Sequence, residues 1–366
     1  MTPRGHKPPP LSALEVAVAA RHLSGWGGTR VERLFKDLRE SATDRSRLDR
    51  VLHELGVPPG EAAARIEQAV AAARRALARA RALDLSILDD SHPDYPEQVR
   101  QIPDPPIVLW VKGDPRCLSE AQVAIVGSRA ATPAALSVSR QLGRDLTEAG
   151  LVITSGLARG VDAAAHAGAL DAGGRTVAVL GCGVDVAYPR EHGPLARRIA
   201  HDGAVVAELP PGARPLPHHF PLRNRIISGL VRAVVVIEAN ERSGSLITAR
   251  AALDQGRDVL AVPGGVLSGR SRGCHALIRD GARLVESAAD VLDELGWPAP
   301  VAREPDRTKP LQSNALEETM AAGESYTLDD LVAETGRPAQ DLLADLGELE
   351  LGGRITRVAG GAFTKT

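Results

Sequence analysis

The chain is poor in the residues that would cross-link it or hold a metal. Its three cysteines, Cys117, Cys182 and Cys274, are odd in number and form no CxxC or Cys/His cluster at ligand spacing, which argues against a disulfide framework and structural zinc. No uninterrupted apolar run approaches the roughly 18 residues of a membrane span, which excludes an integral membrane protein. Arg4 and Lys7 have no apolar stretch behind them before Leu11, so the start does not read as a secretory signal and the expected location is cytoplasmic. GxGxxG and Walker A loops are also missing, leaving NAD and ATP without a supporting motif, and there is no HExxH, no GxSxG elbow and no Asp/Glu cluster at metal spacing. The expectation is no metal, no cofactor and no catalytic residue. Aromatic residues number only three Phe, three Tyr and three Trp, so a ring beside a basic run stands out.

At 366 residues the chain has room for two or three units. Residues 1–83 read as a small helical, helix-hairpin domain, since Leu11 to Leu83 is rich in Ala, Arg and Leu with helical periodicity and no β-branched run. Inside it, Leu23-Ser24-Gly25-Trp26-Gly27-Gly28 is either a plain interhelical turn or a hairpin that meets DNA backbone through its N–H groups. From Gln122 short apolar runs alternate with amphipathic segments: Val123–Val126, Leu151–Ile153, Thr176–Leu180, Val205–Glu208, Ala233–Glu238 and Val259–Val262. Continuous apolar strands separated by helices predict a mainly parallel, doubly wound, Rossmann-like α/β sheet covered on both faces, spanning 84–297. Ile107–Val111 reads as an additional strand or a brace. Residues 298–310 read as a Pro-rich linker, and 311–366, helices followed by a hairpin, as a winged-helix module.

Chemistry concentrates where strands meet helices. Gly127-Ser128-Arg129 follows the first core strand, where backbone N–H groups and a helix dipole can face an anion and Arg129 adds a fork suited to phosphate; a tight βα turn explains the glycine equally. Ser155-Gly156-Leu157-Ala158-Arg159-Gly160 repeats the arrangement. Gly181-Cys182-Gly183 carries no positive charge and is expected to shape the crevice. Phe220-Pro221-Leu222-Arg223-Asn224-Arg225 joins a ring, two arginines and an amide ahead of an apolar helix, the ingredients of a site that stacks a base and holds phosphates; the alternative is Phe220 in the core and the arginines on a solvated face. Ser243-Gly244-Ser245 opens another helix, as a phosphate site or an ordinary cap. His218-His219 is a candidate ligand or base, but without partner carboxylates it reads as solvated or facing nucleic acid.

The overall charge of -2 is uninformative, so its distribution decides. Between Pro215 and Leu284 ten arginines face five acids, a balance of +5, whereas residues 311–366 hold four basic residues against ten acidic, a balance of -6. Phosphate contacts supply most nucleic-acid affinity, so the acidic module is expected to contact a protein or regulate the core.

Taken together, Gly127-Ser128-Arg129, Ser155 to Gly160, Phe220 to Leu230 and Ser243 to Ala249, with Tyr188-Pro189 and Pro263-Gly264 between them, resemble the DprA (Smf) family over about residues 85 to 295. The resemblance implies a protein of natural transformation and recombination, not an enzyme. Such a protein binds single-stranded DNA without sequence specificity, protects it, displaces single-strand-binding protein and loads RecA, acting as a homodimer. Carried over by position, it implies Arg129, Phe220, Arg223, Asn224 and Arg225 on the DNA. His275 stands where the family more commonly has Asn. A nucleotide-binding phosphoribohydrolase-like enzyme is the alternative, but its PGGxGTxxE segment is not matched: Pro263-Gly264-Gly265 continues as Val266-Leu267-Ser268-Gly269.

Overall fold

The computed structural model describes residues 11–23, 34–35, 45–298, 315–351, 353–358 and 361–365. The Gly25–Gly28 turn and all of the expected linker but its first residue lie outside them. Two compact units, Met1–Ala299 and Pro300–Thr366, divide the chain.

The first unit begins with helices α1 (Ala13–Leu23), α2 (Arg45–Glu54) and α3 (Pro59–Ala82). It continues as β1 (Ser86–Asp89), α4 (Glu97–Arg100), β2 (Val108–Gly113), β3 (Gln122–Val126), α5 (Pro133–Glu148), β4 (Val152–Ser155), α6 (Val161–Asp171) and β5 (Thr176–Leu180). Then come α7 (Gly193–Asp202), β6 (Ala204–Ala207), α8 (His219–Leu230), β7 (Ala233–Val236), α9 (Ser245–Asp254), β8 (Asp258–Ala261), α10 (Arg272–Arg279), β9 (Arg283–Leu284) and α11 (Ala288–Glu294). The strands form one nine-stranded sheet in the order β1-β2-β6-β5-β4-β3-β7-β8-β9. From β6 to β9 every neighbour is parallel, and β2 and β1 close the far edge antiparallel. The expected doubly wound, mainly parallel sheet is therefore present, and the Ile107–Val111 segment enters it as β2.

The core follows from strand alternation. On one face Leu109, Ala124, Val126, Val177, Val206, Val234 and Val236 pack with Ile226, Ile227 and Leu230 of α8 and Ala249 and Ala252 of α9. On the other, Val123, Ile125, Val235 and Leu260 meet Leu142 and Leu146 of α5, Ala165 of α6 and Val291 of α11. The same face toward β2 is covered differently. Val16 of α1 and Ala73, Leu77 and Ala80 of α3 share one cluster with Trp110, Leu180, Val205 and Ala207, so the N-terminal helices bury this end of the sheet. Individual helices start where local chemistry permits: Thr132 caps α5 by accepting from Ala135 N at 3.2 Å, with Pro133 at the first helical position.

The second unit holds α12 (Ala315–Thr319), β10 (Ser325–Tyr326), α13 (Leu328–Thr335), α14 (Ala339–Leu351), β11 (Ile355–Arg357) and β12 (Phe363–Lys365), with a three-stranded antiparallel sheet in the order β10-β12-β11. Leu316, Met320, Leu331, Leu342, Leu346, Ile355 and Phe363 form its own small core. Thr327 and Asp330 make a reciprocal capping box at the start of α13, which stabilises that helix end by satisfying two backbone donors. This is the expected winged-helix outline.

Candidate nucleic-acid interface

In this sheet β4, β5 and β6 lie on one side of β3, and β7, β8 and β9 on the other. The order reverses between β3 and β7, and connections leaving those two carboxyl ends must part, which opens a crevice. A cleft of about 530 Å³ occupies that place, a size suited to a small ligand or a short stretch of polymer. Gly127, Ser128 and Arg129 line it from the end of β3, Asn240 and the run Arg242 to Ser245 from beyond β7, and Phe220, Arg223 and Asn224 from α8.

The floor is built around one peptide unit. Gly156 N donates to the Asp162 carboxylate at 3.1 Å, and Gly156 O accepts from Arg223 Nη1 at 2.8 Å. Ala158 N adds a second donor to Asp162, and Val179 O a second acceptor for Arg223. A Cβ on residue 156 would lie 2.4 Å from Arg223 Nη1, so only glycine admits the guanidinium here. Arg223 and Asp162 are each 6% exposed. Burial pulls the arginine down to about 10 against the pull of Asp162, and burial raises Asp162 against the charge of Arg223 and the two amides. Desolvation thus weakens both charges, and each supports the other.

Above this floor the groups are accessible. Arg129 is exposed, makes no ion pair among the described residues, and holds its guanidinium 5.5 Å from the centroid of Phe220. Ser243 Oγ and Ser245 Oγ lie 2.8 Å apart at the start of α9. Ser245 N already donates to Ser243 Oγ at 3.4 Å, and Leu246 N and Ile247 N donate to Ser243 O and Gly244 O, each at 3.2 Å, so what this helix start offers an anion is its two hydroxyls and the helix dipole. Asn224 Nδ2 donates to Gly244 O at 3.3 Å, tying α8 to this loop. From the far side Arg270 Nη1 donates to Ala130 O at 2.8 Å and stands 3.8 Å from Glu238, bracing the turn that carries Arg129.

Several expected phosphate contacts sit elsewhere. Ser155, Gly156, Arg159 and Arg225 are not among the cleft-lining residues. Ser155 is buried and donates to Ile125 O at 2.6 Å. Arg159 pairs with Glu191 at 2.5 Å, and Arg225 with Glu208 at 3.0 Å, in a nearly enclosed cluster with Arg21. Arg223 lies under the cleft rather than across it. The reason is geometric: α8 begins at His219, so residues 223 to 225 are successive helical positions about 100° apart and leave the helix in three directions. Phe220 faces the cleft, while His219 is buried, with its pKa lowered by burial. No cluster of potential metal ligands exists among the described residues, and none of their helices is long and apolar enough to cross a membrane. The sequence reading overlooked Asp162, Tyr188 and Arg270 as site residues; only Asp162, six positions beyond Gly156 at a helix start, offered a local signal.

The chain is similar to known proteins. Residues 86–296 match the family model described as DNA recombination-mediator protein A, and residues 298–361 that of the DprA winged helix domain. The chain is 50% identical over 209 residues to a DNA processing protein DprA of Streptococcus pneumoniae, covering 57% of this chain and 73% of that one. It is 42% identical over 276 residues to Protein Smf of Escherichia coli, covering 73% and 74%. An X-ray structure of the Streptococcus pneumoniae protein superposes with a TM-score of 0.70 at 37% identity, over 78% of this chain and 99% of that one. A structure of DNA processing protein A from Helicobacter pylori, described for its single-stranded DNA binding mode, matches with a TM-score of 0.52 at 29% identity, over 58% and 95%.

Proposed function

Because the chain belongs to the DNA recombination-mediator protein A family, we propose that it binds single-stranded DNA without regard to sequence, in the cleft between β3, β7 and α8. Arg129 and the Ser243–Ser245 helix start take neighbouring phosphates, and Phe220 takes a base on its face. Gly127, Ser128 and Asn224 shape the turn and loop that present them. Arg223, Gly156 and Ser155 act from beneath by holding the floor. An aromatic face accepts any base, so such a site carries affinity without sequence readout. The observation that carries the reading is Arg129: an exposed guanidinium without an ion pair among the described residues, beside a ring, at the switch point of the sheet.

Bound there, a strand would be shielded from nucleases and handed to RecA as single-strand-binding protein leaves, which RecA strand exchange on coated DNA, with and without this chain, tests directly. Homodimerisation is supported by Val266, Leu267 and Leu284, which are exposed around a groove that includes Ile278, and sedimentation at rising concentration tests it. Asp162, the only carboxylate among the described residues that line the cleft, is held by backbone amides, which supports binding over hydrolysis.

Fluorescence anisotropy with labelled oligo-dT and its duplex, across a salt series, tests the site. Phe220→Ala is expected to weaken single-strand binding by about 1 to 3 kcal/mol. Arg129→Ala is expected to reduce the magnitude of the log-log salt slope by about 0.7, the share of one phosphate. Equal affinity for duplex, or unchanged binding in both variants, would overturn the reading.

A further inference from the structure

Phe220 is not the most open ring of the cleft. It is half-buried, with Arg129 held 5.5 Å from its centroid and Gly181 packed so closely that a Cβ there would lie 3.0 Å from the Phe220 Cδ1 atom. Much of its surface is therefore already covered. Beside it, at a centroid distance of 5.3 Å and a tilt of 35°, stands Tyr188, which also lines the cleft and is 43% exposed. Among the described residues it is the one aromatic ring found with the exposed large apolar side chains.

The backbone holds this ring out firmly. Before it, Cys182 Sγ donates to Val186 O at 3.4 Å, and Val186 N donates to Gly183 O at 2.9 Å. After it, His192 N donates to Pro189 O at 3.0 Å, and His192 Nδ1 meets Leu157 O at 2.9 Å. Arg159 and Glu191 tie the same loop to the turn after β4. This arrangement gives Arg159 a role as a strut, and it presents the tyrosine on a rigid support at the mouth of a site already lined by Arg129. A ring fixed in advance loses little conformational freedom when a flat ligand stacks on it.

We propose that Tyr188 is a second base-stacking residue, continuous with Phe220, so that the cleft carries two consecutive bases of one strand. The inference rests on the single-strand reading above and deepens it. At 5.3 Å the two rings are too close to admit a base between them, so they act as adjoining platforms. Tyr188 supplies π-surface and Arg129 supplies charge, so their contributions separate by experiment.

The test compares wild type, Tyr188→Ala and Tyr188→Phe on oligo-dT and on a strand of equal length made wholly of abasic tetrahydrofuran sites. Tyr188→Ala is expected to lose about tenfold in affinity for oligo-dT, with unchanged affinity for the abasic strand and an unchanged salt slope. Tyr188→Phe restores the loss, because stacking does not need the hydroxyl. Equal losses on both strands, or no loss on oligo-dT, overturn the proposal while leaving single-strand binding by the wild type intact. A wild type that does not bind oligo-dT overturns the underlying reading and this inference with it.

Discussion

Arg223→Ala is expected to lower the stability of the first unit by about 3 to 5 kcal/mol, the usual cost of leaving a buried charge without its partner. In this substitution Gly156 O and Val179 O lose their donor, Asp162 loses the opposite charge beside it, and a side-chain-sized void opens under the cleft. Calorimetry should show a fall in melting temperature on the order of 10 °C for a unit of this size. Arg223→Lys should recover little of it, because one ammonium cannot reproduce a planar fork aimed at two carbonyl oxygens. The same experiment separates two roles. A variant that loses single-strand binding only as it loses stability shows a floor residue, and one that melts like the wild type yet fails to bind shows a phosphate ligand, contrary to the geometry.

Acid is expected to weaken the fold through His166. Its ring is fully buried, and its Nδ1 lies 2.6 Å from Thr176 Oγ, whose own hydrogen goes to Ile153 O at 2.5 Å. The hydroxyl must therefore accept from Nδ1–H, which fixes a proton on Nδ1, while Nε2 is buried with no hydrogen-bond partner among the described residues to hold a second proton, so the ring is neutral. Burial above all, with the charges of His192 and Arg223 adding to it, lowers its pKa to about 3. The folded-state value lies below the unfolded one, so on acidification the unfolded chain takes up the proton first. The stabilisation is complete above about pH 6.5 and is lost progressively as pH falls toward 3. At up to about 1.4 kcal/mol per unit, urea unfolding should show roughly 2 kcal/mol less stability at pH 4.5 than at pH 6.5 from this group. His166→Gln, which can still donate to Thr176 but cannot ionise, should flatten the pH dependence by that amount. Identical pH dependence in both proteins would show that the ring does not titrate with unfolding.

The sheet was legible because its strands are apolar on both faces and its glycine turns are local. Val123–Val126 and Ala233–Val236 are buried throughout, as strands covered on two sides must be. β1 and β9 were not foreseen: the first has four residues and the second two, too short for any alternation to show. The burial of the sheet's β2 end by α1 and α3 was also hidden, since periodicity reveals which face of a helix is apolar but not what it will cover.

The candidate site divides along the same line. Gly127-Ser128-Arg129 and Ser243-Gly244-Ser245 could be read from sequence, because a strand end followed by small residues and a helix start is a feature of neighbouring positions. The run Phe220 to Arg225 could not be resolved that way. As sequence it is one aromatic and basic cluster, whereas in the fold the helix turns Arg223 into the floor, Asn224 to the Gly244 loop and Arg225 to Glu208. Likewise Tyr188, 32 positions from Phe220, meets it only because the β5 loop and the start of α8 converge at the cleft. Sequence alone thus determined the α/β class, the phosphate-type turns and the family resemblance, which depend on residues near one another in the chain. Which arginine stays free for a ligand, and which ring stays open, was decided by tertiary structure, because partners distant in sequence engage some of the same side chains and leave others exposed.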